Sequence, residues 1–498
     1  MAVTNKVVRV HPADTVAVVL EEVRQGEVFE CEGHRIRAAA TIAPGHKIAL
    51  VDIAAGADVI KYGAPIGHAT APIAAGAHVH LHNLATNLDG VRAYQYQPLA
   101  WDRPAAIDGT FEGYPRENGT VGIRNEIWII PTVGCVNGVA ERLAQRASRV
   151  HAYGTIEGVF AFPHPYGCSQ LGGDHRATQR ILAGLVNHPN AGGVLVLGLG
   201  CENNHLSEFL PCLGAFQGRR VKFLDCQQAG DERAEGMTLI DDLALYARRE
   251  ERQSLPLSCL KIGVKCGGSD GLSGITANPL VGMLADRLVA AGGTVALTEV
   301  PEMFGAEHLL MNRCTDRPVF EKLVAVVNEF KDYFSRNGQT IYENPSPGNK
   351  DGGITTLEEK SLGCVQKGGS SPITAVLNYG DGLMQSGLQV VSGPGNDLVS
   401  ETALVAAGAQ LLLFTTGRGT PLGAPAPTLK IASNSEIARR KPNWIDFDAG
   451  ALLQGRSLDE LADALLAEVL EVASGTRKTR NEIEDNRQIA IWKDGVTL

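Results

Sequence analysis

The stretch from Ser258 to Gly305, SCLKIGVKCGGSDGLSGITANPLVGMLADRLVAAGGTVALTEVPEMFG, constrains the fold most. An apolar run, Leu260–Val264, stops at Lys265–Cys266 and a loop of Gly, Ser and Asp. Leu280, Leu284, Leu288 and Val289 then recur at helical spacing, Gly292–Gly293 ends the helix, and Thr294–Val300 reads as a second strand running to Glu302. This is the pattern of a strand–helix–strand unit with a parallel sheet. Ligands of such sheets bind at the carboxyl ends of the strands. Here those ends carry a thiol, an Asp and carboxylates, so the pattern points to a site as well as a fold.

A chain of 498 residues is too long for one ordinary core, and two to four domains are expected. Residues 1–86 read as a small β-rich module with Gly turns, and 87–116 as a linker. Residues 117–256 and 257–498 read as two α/β regions with mainly parallel sheets. Strands are expected at 16–19, 35–40, 126–130, 158–162, 193–197, 221–224, 389–392 and 410–416. Helices are expected at 138–149, 177–186, 231–249, 318–333, 397–407 and 458–473. The stretch 338–371 shows almost no apolar periodicity and is taken as a shaped loop. A long irregular segment inside a compact domain is commonly functional.

Charge narrows the function. The formal net charge of -10 argues against a general nucleic-acid binder, which needs a basic face, but leaves room for a small anionic substrate. No apolar run suits a membrane span or a signal core, so a cytoplasmic location is expected, with the 10 cysteines reduced. No CxxC pair occurs, which disfavours a zinc ribbon or a thioredoxin-type dithiol.

The cysteines are placed in a telling way. Cys135, Cys168, Cys201 and Cys364 each follow a Gly, and Cys266 precedes one, mostly where an apolar strand runs out into small polar residues. Cys is often merely a small buried hydrophobe. In Gly-rich polar loops the alternatives are soft metal ligands, for iron or an iron–sulfur cluster, or thiols lining a pocket. Glu302, with Glu299 and Glu307 nearby, adds carboxylates for a cation or for proton transfer. His78, His80 and His82 alternate and are expected on one face of a strand. Asp174 is a reasonable helix cap and His175 beside it a candidate base. Lys350, Lys360 and Lys367 offer proton-transfer or anion-binding groups. Arg418, between two glycines, suits a carboxylate. Ser269 and Asp270 complete the substrate-binding candidates.

The motifs PTVGCVN (131–137), YGCSQLGGDH (166–175), GLGCENN (198–204), CGGSDGLSGITANP (266–279), EVPEMFGAE (299–307), ENPSPGNKDGGITTLEEKSLGC (343–364) and TTGRGTPLG (415–423) resemble the altronate/galactarate dehydratase family. The first 86 residues resemble its SAF-type, or β-clip, module. The resemblance spans nearly the whole chain. It implies elimination of water from a sugar acid, D-altronate giving 2-dehydro-3-deoxy-D-gluconate, with galactarate as the second candidate substrate. It also implies dependence on Fe2+ or Mn2+, with an Fe–S cluster as the less favoured alternative. The roles expected are His175, Lys350 or Lys360 for proton transfer, and His80, His82, Ser269, Asp270 and Arg418 on substrate. Cys135, Cys168, Cys201, Cys266, Cys364 and Glu302 are the expected metal ligands. A non-catalytic sugar-acid-binding protein is the rival from another class, and a homo-oligomer is compatible with all of this.

Overall fold

The computed structural model describes residues 6–152 and 154–497. The N-terminal module is antiparallel throughout. Val7–Val8, Val16–Val19, Lys47–Ala49 and His78–Val79 form one sheet in that order. Val28–Cys31 pairs with His34–Arg37, and Asp58–Lys61, Ala64–Ala69 and Leu84–Ala85 form a third, small sheet. One apolar cluster, with Val19, Phe29, Ile36 and Ile48, belongs to the module alone. The opposite face, Val16, Val59, Ile66 and Val79, joins the main core of the C-terminal region. The module is therefore packed onto the C-terminal region through shared apolar burial, the dominant favourable contribution to such association.

The middle region is a four-stranded parallel sheet in the order Val159–Ala161, Glu126–Pro131, Ala191–Gly198, Val221–Asp225. Asn137–His151 and Glu232–Ala247 cover one face. Gly172–Val186 covers the other and packs on Asp397–Ala406 of the C-terminal region. The C-terminal sheet is parallel and seven-stranded, in the order Ile373–Leu377, Gly387–Val391, Thr294–Leu297, Lys261–Cys266, Leu411–Thr416, Thr428–Ala432, Phe447–Asp448. From Lys261–Cys266 the chain builds outward in one direction, and from Leu411–Thr416 in the other. The crevice between these two strands is thus the topological switch point, where open parallel sheets bind ligands.

Several expectations are corrected. The second strand of the opening unit stops at Leu297, because Glu299 takes a left-handed conformation (φ 67°) and starts a short 3-10 turn, Val300–Met303. The region 338–371 is not a shaped loop. It holds the helices Pro347–Asp351 and Leu357–Cys364, and every residue of the latter is buried. A helix buried all round has no apolar stripe, so its periodicity is invisible in the sequence. The strand at 410–416 is followed by two further strands. Thr110–Pro115, inside the expected linker, pairs antiparallel with Gln253–Pro256, so the chain on either side of the middle region is stitched together.

Candidate active site at the switch point

Strand Lys261–Cys266 delivers two chemically loaded side chains at its end. Lys265 is fully buried, its Nζ 2.5 Å from Asp397 and 3.2 Å from Glu299, and these carboxylates keep it protonated against the cost of burial. Cys266 points to a partner thiol, Cys364 at the end of the buried helix, 3.4 Å away. Glu302 Oε2 lies 3.2 Å from the Cys266 sulfur and 3.3 Å from that of Cys364. Its other oxygen, Oε1, accepts from Lys360 Nζ at 2.8 Å. Lys360 also donates to Asn344 Oδ1 (3.0 Å) and Asn349 Oδ1 (3.2 Å).

The electrostatics follow from burial and charge pairing. Burial disfavours the Glu302 carboxylate, yet Lys360 and Lys367 outweigh it and bring its pKa to about 2. The hydrogen bond to Cys364 pulls the Cys266 thiol below the usual range, with burial opposing, and pushes Cys364 up. The pair therefore favours one thiolate over two thiols.

Two sulfurs and a carboxylate oxygen, all buried and within 4.8 Å of one another, form the one such donor group among the described residues. The set fits the divalent metal that the family resemblance implies. Tetrahedral thiolate sites at metal–sulfur lengths of about 2.3 Å bring sulfurs to about 3.8 Å apart, close to the spacing here. Two sulfur donors beside one carboxylate oxygen suit a transition metal rather than a hard cation such as calcium.

The N-terminal module completes this site. The turn at Gly45 enters between Gly271 and Gly353, against whose backbones its carbonyl oxygen rests. Lys47 and Lys61, both buried, each donate to one oxygen of Glu359 at 2.8 Å. Lys47 donates further to Thr355 Oγ1 and Gly353 O, each at 2.8 Å. Burial is the largest influence on all three. Glu359 is nevertheless lowered to about 2 by the two ammoniums, Lys61 is raised, and Lys47, carrying the burial cost and the repulsion of Lys61, falls to about 8. Beside them His46 Nδ1 lies 3.0 Å from His78 Nε2, and His80 Nδ1 lies 2.9 Å from Thr355 Oγ1. Burial first, then neighbouring positive groups, lower His78 to about 3 and His80 to about 4, so both are neutral at pH 7.

Sequence-derived candidates distribute as follows. Cys266, Cys364, Glu302 and Lys360 come together. Cys135, Cys168 and Cys201 are exposed at strand tips of the middle sheet, so the six expected metal ligands do not form one centre. The histidines do not share a long strand face. The strand covers only His78–Val79, and a turn through His80–Asn83 gathers the rings, with His78 to His80 and His78 to His82 centroids each 5.5 Å apart. His175 lies on the helix of the middle region, and Asp174 is not its cap. The helix starts at Gly172, and the Asp174 carboxylate accepts from the amides of Asp494 and Gly495 in the C-terminal tail. Asp270 is a brace: its carboxylate accepts from Ser273, Ser433 and Asn434. Arg418 is exposed and lies near Gly348, two residues before Lys350. Glu307 pairs with Lys331 at 2.6 Å, apart from the thiol cluster.

Lys47, Lys61 and Glu359 carry no local sequence signal of this role, since each alone reads as surface charge. A small cavity of about 10 Å³, lined among others by Lys61, Tyr62, Ser269, Glu359, Lys360 and Cys364, lies between the module and the thiol cluster. That is about the space of one water. A larger cleft of about 590 Å³, lined by Arg176, Arg180, Tyr379 and Trp492, lies elsewhere and does not reach Cys266.

Comparison with known proteins agrees with this layout. Residues 5–87 match the altronate/galactarate dehydratase SAF domain, 113–248 the D-galactarate dehydratase/altronate hydrolase second domain, and 257–497 the D-galactarate/altronate dehydratase C-terminal domain. The chain is 53% identical over 494 residues to altronate dehydratase of Escherichia coli (strain K12) and 50% identical to that of Bacillus subtilis (strain 168), with 99% of each chain covered. It is 34% identical to the L-threo-forming galactarate dehydratase of Escherichia coli, covering 95% of this chain and 93% of that one. With three consecutive domain matches and relatives aligned almost end to end, the chain belongs to the altronate/galactarate dehydratase family.

Proposed function

We propose that this protein is an altronate dehydratase, a hydro-lyase that removes water across C2 and C3 of D-altronate at the crevice between the N-terminal module and the Cys266–Glu302–Cys364 cluster. The full-length identity of 50–53% to two altronate dehydratases carries the assignment. Cys266, Cys364 and Glu302 would hold Fe2+ or Mn2+, which supplies Lewis-acid stabilisation of the charge that develops when the proton beside a carboxylate is removed.

The chain's own residues supply the rest. Lys360, kept protonated by Glu302 and reached by Asn344 and Asn349, is suited to donate a proton to the departing C3 hydroxyl. Lys61 is likewise protonated and lines the same cavity, where it offsets the charge of a carboxylate. Neither lysine is a base at neutral pH. The neutral bases at the seam between module and body are the imidazoles of His46, His78 and His80, with His46 Nε2 3.2 Å from Asp351 O, and we assign the C2 proton to this cluster, with His80 foremost because Thr355 holds its ring. The base then belongs to the module and the acid to the body. Both face the substrate when the two are docked together, and we propose that the module opens to admit a six-carbon acid, for which a space of about 10 Å³ is too small.

Among the described residues no helix is long and apolar enough to cross a membrane. With ten unpaired cysteines, a reducing compartment suits the protein, and we place the reaction in the cytoplasm.

The test is direct. Protein purified without oxygen is incubated with Fe2+ or Mn2+ and D-altronate, and 2-keto acid is assayed. Metal-dependent keto acid from altronate is expected. Keto acid from galactarate alone would move the assignment to the sibling activity, and binding without turnover of either would support a non-catalytic protein.

A further inference from the structure

We infer that the middle region carries a second, separate metal centre: an iron–sulfur cluster held by Cys135, Cys168 and Cys201. The argument rests on how three loops are locked to one another at the carboxyl edge of the four-stranded sheet. Cys135 follows strand Glu126–Pro131, Cys168 follows Val159–Ala161, and Cys201 follows Ala191–Gly198, three strands adjacent in the sheet.

The loops are tied pairwise. Gly134 N donates to Tyr166 O at 2.9 Å, joining the Cys135 and Cys168 loops. Asn204 N donates to Gly167 O at 3.0 Å and Ser169 N to Asn203 Oδ1 at 2.8 Å, joining the Cys168 and Cys201 loops. Asn204 Nδ2 donates to Thr132 O at 3.1 Å, closing the ring back to the first. Gly167, at φ 100°, lies so close to Thr132 and Val133 that a side chain there would overlap them. The backbone is thus built to hold three successive Gly–Cys steps on one rim.

All three thiols are exposed. Cys is ordinarily among the most buried residue types, and an exposed thiol is open to oxidation. Three on one rim are accounted for if they are ligands. Cys226, after the fourth strand, packs against the apolar layer beneath the sheet, and Cys212, also exposed, sits in a separate helical turn, so the set is three. Gln227 Nε2 donates to the Cys201 sulfur at 3.3 Å, the kind of hydrogen bond that tunes a ligating thiolate.

The spacing selects the type of centre. A single tetrahedral ion draws its sulfurs to about 3.8 Å apart. Among the described residues the one donor group gathered within 4.8 Å is Cys266–Glu302–Cys364, so these three sulfurs are not drawn together as the ligands of one ion, and a multi-iron cluster is the centre that bridges three thiolates on a wider rim. Three protein thiolates on a four-iron cluster leave one iron for solvent or for an oxygen ligand of the hydroxy-acid class.

This inference is independent of the altronate assignment. The full-length protein is purified anaerobically, reconstituted with ferrous iron and sulfide, and desalted. Iron, acid-labile sulfide, the visible spectrum and the electron paramagnetic resonance signal after dithionite are then measured. About four sulfides per chain and a broad brown absorption bleached by dithionite are expected. Sulfide should fall at least tenfold in Cys135→Ser, Cys168→Ser and Cys201→Ser, each checked for folding by circular dichroism. Cys266→Ser should keep the colour, whether or not it turns over altronate. Folded wild-type protein that takes up no labile sulfide, or three single variants that all retain it, would overturn the proposal, as would iron or zinc bound at the triad without sulfide.

Discussion

The carbonyl oxygen of Gly45 occupies the space that a side chain on Gly271 would need. This contact joins the tip of an N-terminal turn to the loop that follows Cys266, and it leaves no room for a methyl group. Gly271→Ala is therefore expected to push the module off the body, at the cost of about 1–3 kcal/mol typical of overpacking. Hydrogen exchange should rise across residues 45–82 while the strands of the C-terminal sheet stay protected, and turnover should fall with the docked fraction. Unchanged exchange in the module would show that the loop yields instead.

Glu359 joins two buried lysines, and removing its charge leaves Lys47 and Lys61 facing each other without a counter-ion. Glu359→Gln is expected to destabilise the protein by about 3–5 kcal/mol, read as a lower denaturation midpoint at pH 7. The pH dependence has a definite sign. The carboxyl titrates near 4.5 when free and at about 2 when folded, so its stabilisation is complete above 4.5 and is lost as the pH falls through about 2. The gap between wild type and variant in acid unfolding should close over that window.

For the thiol cluster, Cys266→Ser and Cys364→Ser should each lower bound Fe2+ after desalting from one equivalent to a small fraction at the switch point. Glu302→Gln should do the same and also free Lys360. Metal content is read by elemental analysis on protein whose middle-region thiols have been replaced, so that only one centre is counted. Full retention in all three variants would place the metal elsewhere.

His80 gives a kinetic signature. If its imidazole takes the C2 proton, the acid limb of kcat/KM should fall near pH 4 rather than near 6.5, because burial and neighbouring cations lower its pKa to about 4. His80→Ala should reduce kcat by about 10²–10⁴. A limb that stays in place in the variant would assign the proton to His46 or His78.

Much of the framework was readable from local pattern. Helix Leu458–Ala473 and the strand-tip position of Cys266 follow from apolar spacing and turn residues alone. Helix Leu357–Cys364 was not readable, because a segment buried on all sides alternates with nothing, and its Glu and Lys residues imitate a solvated charge run. Lys47 and Lys61 were hidden for a different reason. Their burial is made tolerable by Glu359, some 300 positions away in the chain, and no local window contains both partners. The same holds for the thiol pair, whose members are 98 residues apart. Alternation singles out the histidines but cannot place them, because the turn through His80–Asn83 has the same spacing as a continued strand.

Residues 86–109 contain no helix or strand, yet they do not hang free: Tyr96 donates to Cys314 O, Leu99 N to Asn312 O, and Arg103 to Ala290 O. A tether pinned in this way would keep the module, once opened, within a short radius of its own seat. Its return is then a first-order event, governed by a local concentration of about millimolar rather than by how much protein the solution holds. If the module opens to admit substrate, it can therefore return on every cycle without being lost to a neighbouring molecule.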